Sequence, residues 1–492
     1  MQNFPEYGEN TILDTDSYEE NPILDTDSYK ASHAAMYAPN TRGMFSYFES
    51  RGGEFPETVF FGLQMIVRKY LKPFTQKNID DAEIFLKAHG EPFNKEAFQY
   101  ILKEYGGHWP VRIRAVPEGS VVPTHNVLMT VECLDPKCFW VTNWLETLLV
   151  RVWYPITVAT QSYHLRKVIY QYLQETADDP DAEIDFKLHD FGSRGVTCRE
   201  QAGLGGAAHL AIFKGSDTME GIRYANFYYD SPMAGFSIPA AEHSTVMSFE
   251  QEDGFYANFV QEYLYKQKFA LAACVSDTTN LWRVIDEVWC GSQLEAVKNS
   301  GGCLVVRPDS GVPVVTVIEA LKRFNAKLNM QKNSKGYKVL PPYYRMIQGD
   351  GIDRHTIPEI LEHMKLLGYS ASNLAFGSGG GLLQKLNRDT CKCAFKVSAF
   401  LKDYDGEREW FNVSKNPITD SGKRSKAGRL DLVPSTFGAN SYATAEIPYG
   451  FGVHPNSVMV GIYDKGYQPS RVNLETVRNR IKAHAKEGLS DV

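Results

Sequence analysis

Long apolar runs are missing from this sequence. The longest uninterrupted one covers residues 269–275, far short of the roughly 20 residues that a membrane-crossing helix needs, so no span is available. An excess of charge is missing too. The chain has 52 Lys and Arg against 59 Asp and Glu, a net charge of -7 over 492 residues, and so offers no general attraction to nucleic acid or anionic lipid. Any anionic ligand must be held by a local cluster. Eight cysteines are too sparse for a disulfide scaffold, and Cys133/Cys138 and Cys391/Cys393 lack the CxxC spacing of a zinc site, so they read as reduced core thiols. Residues 1–10 carry neither a basic n-region nor an apolar h-region, which leaves no secretory signal to read and makes a cytoplasmic enzyme the expectation. A composition of 43% hydrophobic and 23% charged residues excludes intrinsic disorder and collagen-like structure, and the length implies two or three domains.

One short internal repeat opens the chain. Residues 9–18 recur as residues 20–29, differing only where Thr11 is replaced by Pro22. A single duplication is not a solenoid. Only the second copy runs on into Lys30-Ala-Ser-His33, which makes Asp27 and Tyr29 the expected working pair and residues 1–22 an extension. Residues 23–183 read as the first part of an α+β domain, with strand-like runs at 43–48, 111–116 and 127–131 and helical stretches at 63–71, 82–88 and 143–153. From 184 to 390 the rhythm changes. Short apolar runs at 186–189, 209–213, 235–238, 271–275, 303–306, 344–347 and 374–376 recur at roughly 25 to 35 residues, the spacing of a βα sheet or barrel. The reading is α/β: an irregular TIM-like βα barrel over 184–390, flanked by an α+β domain completed by residues 391–492, with a basic stretch at 415–429 and a helical tail.

In such folds the site is built at the C-terminal ends of the strands. The loops there hold Asp190, Arg194, Asp217, His243, Asp277, Arg307, Asp309 and Gly349-Asp350-Gly351. The sharpest signal is Phe376-Gly-Ser-Gly379-Gly380-Gly381, a strand opening into a glycine run and then a helix, where bare amides suit a phosphate. Arg388 follows at a distance from which it can fold back on a phosphate or face solvent. Arg307 and Asp309 offer a guanidinium for phosphate and a carboxylate for a metal. Asp277 adds another acid, and oxygen ligands without Cys or paired His suit Mg²⁺ rather than zinc. His243, in Ala-Ala-Glu-His-Ser-Thr, reads from its position alone as either a catalyst or a hydrogen-bonded structural residue.

Taken in order, Asp25-Thr-Asp-Ser-Tyr-Lys30, Lys187-Leu-His-Asp-Phe-Gly-Ser-Arg-Gly195, Phe213-Lys-Gly-Ser-Asp-Thr218, Pro239-Ala-Ala-Glu-His-Ser-Thr245, Val305-Val-Arg-Pro-Asp-Ser-Gly311, Ile347-Gln-Gly-Asp-Gly351, the glycine run and Lys423-Arg-Ser-Lys426 closely resemble the nicotinamide phosphoribosyltransferase family. The resemblance spans residues 23–486. It implies transfer of the phosphoribosyl group of 5-phosphoribosyl-1-pyrophosphate (PRPP) to nicotinamide, giving nicotinamide mononucleotide and pyrophosphate in NAD salvage. It further implies Phe191 and Tyr29 on the two faces of the pyridine ring, with Tyr29 and Asp27 in the repeat that a second subunit of a homodimer presents. Asp217 is expected to accept from the carboxamide, and Arg194 to reach the ring substituent or the phosphoribosyl group. Arg307, Gly349, Asp350, Gly379, Gly380 and Arg388 are expected to hold ribose and 5′-phosphate, and Arg42, Lys396, Lys415 and Lys423 the pyrophosphate or ATP end. Mg²⁺ is expected near Asp277 and Asp309, and His243 is the residue ATP phosphorylates. The chain departs from the family's animal members at Ser193, where they carry Tyr, and in the duplicated N-terminal motif.

Nicotinate phosphoribosyltransferase is the nearest rival, its substrate differing by one charge. A carboxylate at Asp217 favours the amide, because two like charges about 4 Å apart cost roughly 4 kcal/mol at an effective dielectric near 20. A non-catalytic phosphate-binding barrel would be expected to have lost acids, His or glycines, and none is missing. An aldolase or isomerase would need a Schiff-base lysine or an acid–base pair at the strand ends.

Overall fold

The structure is a computed structural model and describes residues 20–419, 421–435, 441–469 and 471–487. The first copy of the repeat lies outside them. Strands are numbered here along the chain: β1 Thr41–Ser50, β2 Arg112–Ala115, β3 Val127–Cys133, β4 Leu188–Asp190, β5 Gly215–Ser216, β6 Leu271–Val275, β7 Cys303–Arg307, β8 Tyr344–Gln348, β9 Leu374–Ser378, β10 Cys393–Tyr404, β11 Glu407–Asn412 and β12 Val460–Asp464. Five helices matter to the site or its support: α1 Trp153–Thr176, α2 Arg199–Leu210, α3 Met219–Tyr228, α4 Gly380–Leu383 and α5 Leu474–Glu487.

Two six-stranded sheets organise the molecule. One is antiparallel, in the order β11-β10-β1-β3-β2-β12, so both ends of the chain contribute three strands to it. The other is a curled, open, parallel half-barrel in the order β5-β4-β9-β8-β7-β6. Each sheet has its own large apolar core, and Trp153 at the start of α1 packs against both. The strands of the parallel sheet are short apolar runs with a charged or glycine-bearing end, as a buried strand feeding a functional loop should be.

Three expected elements differ. The run at 209–213 is not a strand but the end of α2 and the turn after it. Every residue from Ala202 to Leu210 is buried, and Gly206 meets Gly221 of α3 so closely that a Cβ there would lie 2.8 Å from the Gly221 Cα, so no polar face marks this helix as one. The run at 235–238 gives isolated bridges rather than a ladder: Phe236 pairs with Gly215, and Ala240 with Ala273, so this segment spans the gap between the two edge strands. The stretch at 143–153 is divided into Val141–Trp144 and Glu146–Val150, after which α1 begins.

Among the described residues, no helix is long and apolar enough to cross a membrane. Six of the eight cysteines are buried free thiols; Cys198 is exposed and Cys290 half-buried.

Candidate active site

The parallel sheet surrounds a cavity of about 1650 Å³. Aliphatic side chains, Ala273, Val305, Ile347 and Ala375, line its middle, and the loops after the strands form its rim. Phe191, Arg194, Asp217, His243, Arg307, Asp309, Gly349, Asp350, Gly379 and Gly380 all line it.

On one side β4 delivers two rings. His189 and Phe191 are two residues apart, so the strand's period of two sets them on one face, with ring centroids 6.2 Å apart. Glycines on the neighbouring strands make room for both. A Cβ at Gly215 would lie 2.4 Å from His189 Nδ1, and one at Gly377 would lie 2.0 Å from Phe191 Cε2. The His189 Nε2–H donates to the Phe186 carbonyl at 2.9 Å, and burial holds the imidazole below its usual pKa, hence neutral. Asp217, at the end of β5, is exposed beside these rings, with one carboxylate oxygen taken by the Ser237 hydroxyl.

On the other side is a charged network. His243 Nε2 lies 3.0 Å from Asp277 Oδ1, and its Nδ1 lies 3.9 Å from Asp309 Oδ2. The second Asp277 oxygen accepts from the Asp309 amide at 2.8 Å and the Ser310 hydroxyl at 2.6 Å. Burial would raise the Asp277 carboxyl, but these donors and His243 outweigh it and hold the group below the usual range. Asp309 moves the opposite way: burial raises it, against the pull of the Arg307 guanidinium 2.9 Å away. Arg307 donates to the Ala241 carbonyl at 3.1 Å and keeps a buried Nε without a partner. Among the described residues no group of three or more His, Cys, Asp or Glu is arranged to hold a metal. Both Asp277 oxygens are committed, whereas Asp309 Oδ2 has no hydrogen-bond partner.

The glycine run joins the two sides. It leaves β9 and enters α4, which lasts a single turn, so Arg388 sits in an exposed turn beyond it rather than two helical turns along. No side chain caps α4, and a Cβ at Gly380 would meet open space. Its first amides therefore have no acceptor within the helix. The Arg194 turn lies against them: a Cβ at Gly195 would be 3.3 Å from the Gly380 nitrogen. Gly349 approaches both Asp309 and Phe191, and the buried Gln348 donates to the Asp350 carbonyl at 3.0 Å to hold that loop.

The remaining expected residues do not line the cavity. Tyr29, 55% exposed in the 3-10 helix Ser28–Ala35, meets His33 edge-on. Asp27 accepts from the Thr147 hydroxyl at 2.6 Å. Arg42 donates to the Pro39 carbonyl at 2.8 Å and Lys396 to the Phe395 carbonyl at 2.7 Å. Burial lowers the Lys396 ammonium, and Arg51, Arg388 and Lys415 add to the effect, so these cations are neighbours on the antiparallel-sheet side. Lys423 ends the 3-10 turn Ser421–Lys423.

Sequence reasoning did not single out His189, Ser237, Ser310, Gln348 or Gly377. The alternation His189/Phe191 is a signal that could have found the first. The others are legible only from contacts.

The chain matches the family model described as the nicotinate phosphoribosyltransferase family over residues 186–447, and the nicotinamide phosphoribosyltransferase N-terminal domain over residues 21–113. It is 47% identical over 485 residues to a nicotinamide phosphoribosyltransferase of Xanthomonas campestris pv. campestris, covering 97% of this chain and 98% of that one. It is 31% identical to one of Mycoplasma pneumoniae, covering 82% and 93%. Among solved structures it is similar to a nicotinate-nucleotide pyrophosphorylase of Pyrococcus furiosus (TM-score 0.57, 14% identity, 96% and 97% covered) and to human nicotinic acid phosphoribosyltransferase (TM-score 0.52, 17% identity, 94% and 93% covered). At such identities these two speak for the fold alone.

Proposed function

The chain belongs to the nicotinamide phosphoribosyltransferase family and is a pentosyltransferase, and we propose that it joins PRPP to nicotinamide as a homodimer with shared sites, stimulated by ATP through His243. The observation that carries the choice of base is Asp217: an exposed carboxylate beside the Phe191 ring, with Ser237 occupying one oxygen and the other left to accept from a carboxamide. Nicotinate would bring a second negative charge to the same place, at a cost of roughly 4 kcal/mol for charges about 4 Å apart.

The pyridine ring lies on Phe191, a flat apolar face of the kind heterocycles stack on. Tyr29 of the same chain does not line the cavity, and in this reading the opposite face of the ring is closed by Tyr29 of the second subunit. The neighbouring cations Arg388, Lys396 and Lys415, with Arg42 and Lys423, come to the pyrophosphate end by the same route. Within the chain, Arg194, Arg307, Gly349, Asp350 and the amides at Gly379 and Gly380 hold the ribose and 5′-phosphate; the unspent Arg307 Nε and the open face of Gly380 support this.

The pyridine nitrogen attacks C1 as pyrophosphate leaves, through a transition state of oxocarbenium character, so catalysis is positioning and charge stabilisation rather than protein nucleophilicity. A divalent metal such as Mg²⁺ would supply neutralisation of the leaving-group charge. Asp309, with an oxygen free, is the residue that would hold it. Asp277 is committed to His243: it orients the imidazole through Nε2 and leaves Nδ1 to take the phosphoryl group of ATP. The half-barrel and the bridging segment at 236–240 together are read as one irregular TIM-like barrel.

The test is product formation from PRPP and Mg²⁺ with nicotinamide or nicotinate, with and without ATP, in the wild type and Asp217→Asn. Nicotinamide mononucleotide from the wild type, with selectivity relaxed in the variant, is expected. Preference for nicotinate would overturn the Asp217 argument, and no product from either base would overturn the proposal as a whole.

A further inference from the structure

Asp190 closes β4 and is fully buried, outside the cavity lining and beneath the crossing of α2 and α3. The two crossing glycines leave it room: a Cβ at Gly206 would lie 3.2 Å from its Oδ2. Its contacts reach both loops of the ring subsite. Oδ1 accepts the Gly192 amide at 2.7 Å, immediately after Phe191, and its backbone carbonyl accepts the Asp217 amide at 2.9 Å. Phe191 is pinned from the other side by its own amide, which donates to the Ser378 carbonyl at 3.0 Å.

Oδ2 faces the hydroxyl of the buried Thr218, on the Asp217 loop, without closing a well-formed hydrogen bond to it. Burial lifts the carboxyl to about 7, against the pull of the Gly192 amide and Thr218. A position serving packing alone has no use for a buried acid with an unpaired oxygen, which is unfavourable in itself. What this acid adds is a side-chain link between the Phe191 turn, through the Gly192 amide, and the Asp217 loop, through Thr218.

We propose that Asp190 is the positioning residue of the pyridine subsite: from behind the sheet it holds the Phe191 turn and the Asp217 loop together, so that ring and carboxamide are gripped at once. The proposal rests on the functional reading above, and it makes Asp190 a determinant of affinity for the base but not for PRPP.

Asp190→Ala and Asp190→Asn test it, by steady-state kinetics and by amide hydrogen exchange. Asn keeps an oxygen for the Gly192 amide. In the Ala variant the KM for nicotinamide is expected to rise about tenfold with the KM for PRPP within about twofold. Exchange should accelerate in residues 190–194 and 216–219 and not elsewhere, and Asn should restore most of both. Should Ala fail to fold, Asp190→Val, which offers the Gly192 amide no acceptor, replaces it. Equal rises in both KM values, exchange that accelerates throughout, or an Asn variant as impaired as Ala would overturn the proposal. A wild type that does not turn over nicotinamide would overturn the functional reading instead. Exchange needs no substrate, and its outcome would then decide the role of Asp190 alone.

Discussion

Gly377→Ala is a sharp perturbation of the ring subsite, because one methyl group is aimed at one ring. The added Cβ would lie 2.0 Å from Phe191 Cε2, 2.2 Å from Cδ2 and 2.8 Å from Cζ, distances no real contact sustains. Gly377 has no positive φ, so alanine meets no backbone strain, and in a strand it is if anything favoured. Everything turns on what the ring does. If it stayed, overpacking would cost about 1 to 3 kcal/mol of stability. Phe191 is only half-buried and borders an open cavity, so swinging into that cavity is the cheaper escape. The fold should then lose less than about 1 kcal/mol, while the base loses its stacking face, worth about 0.5 to 1.5 kcal/mol beyond simple area burial. Because the base would also bury less apolar surface, the KM for nicotinamide should rise about tenfold, the equivalent of about 1.4 kcal/mol. The KM for PRPP should stay within about twofold. Steady-state kinetics in both substrates, with thermal denaturation alongside, measures each quantity. Phe191→Ala and the double variant complete a cycle, and the two effects should not add, because both act through the same ring. An unchanged nicotinamide KM in Gly377→Ala, or full additivity with Phe191→Ala, would refute the stacking assignment.

Asp277→Asn removes the charge that orients His243 through Nε2, and ATP stimulation of nicotinamide mononucleotide formation should fall at least about tenfold; stimulation equal to wild type would separate Asp277 from the ATP step. Asp185 concerns stability rather than catalysis. Burial would raise its carboxyl, but Lys214, Arg166 and Lys482 prevail and hold it at about 2, below its usual 3.8. A depressed carboxyl pKa contributes stability that is fully present above the unfolded-state value and lost as pH falls through the folded-state value. Asp185→Asn should therefore be less stable than wild type by about 2 kcal/mol at neutral pH, with the gap closing between about pH 5 and pH 1. Urea unfolding at several pH values reads this, and a gap that persists undiminished at low pH would contradict it.

The half-barrel was legible in the sequence where strands behave as strands. The runs at 271–275, 303–306, 344–347 and 374–376 all lie on β6 to β9, and Asp309, Gly349, Asp350, Gly379 and Gly380 after the last three line the cavity. Periodicity failed where a helix has no polar face. The run at 209–213 ends a helix buried along most of its length, and α1, buried at each position from Tyr154 to Tyr163, escaped notice for the same reason. An amphipathic stripe is the mark of a helix with water on one side, and these two stretches have none.

Packing partners account for what else was missed. Gly377 and Gly215 carry no local mark of their purpose: each is needed because a ring from the adjacent strand β4 occupies the space a Cβ would fill, and that adjacency joins residues 191 and 377 far apart in the chain. Asp190 was visible as an acid at a strand end, a position that suggests chemistry, yet its side chain is turned behind the sheet and its neighbour Phe191 faces the cavity. A one-residue step along a strand reverses the face. For the same reason Asp190 and Phe191 face opposite ways at one strand end: the acid takes the Gly192 amide on the buried side while the ring lines the cavity on the open side. Strand-end acids in this sheet thus fall into two kinds, those that line the cavity, as Asp217 and Asp309 do, and those that hold backbone behind it, as Asp190 does, and parity with a cavity-facing neighbour marks the second kind.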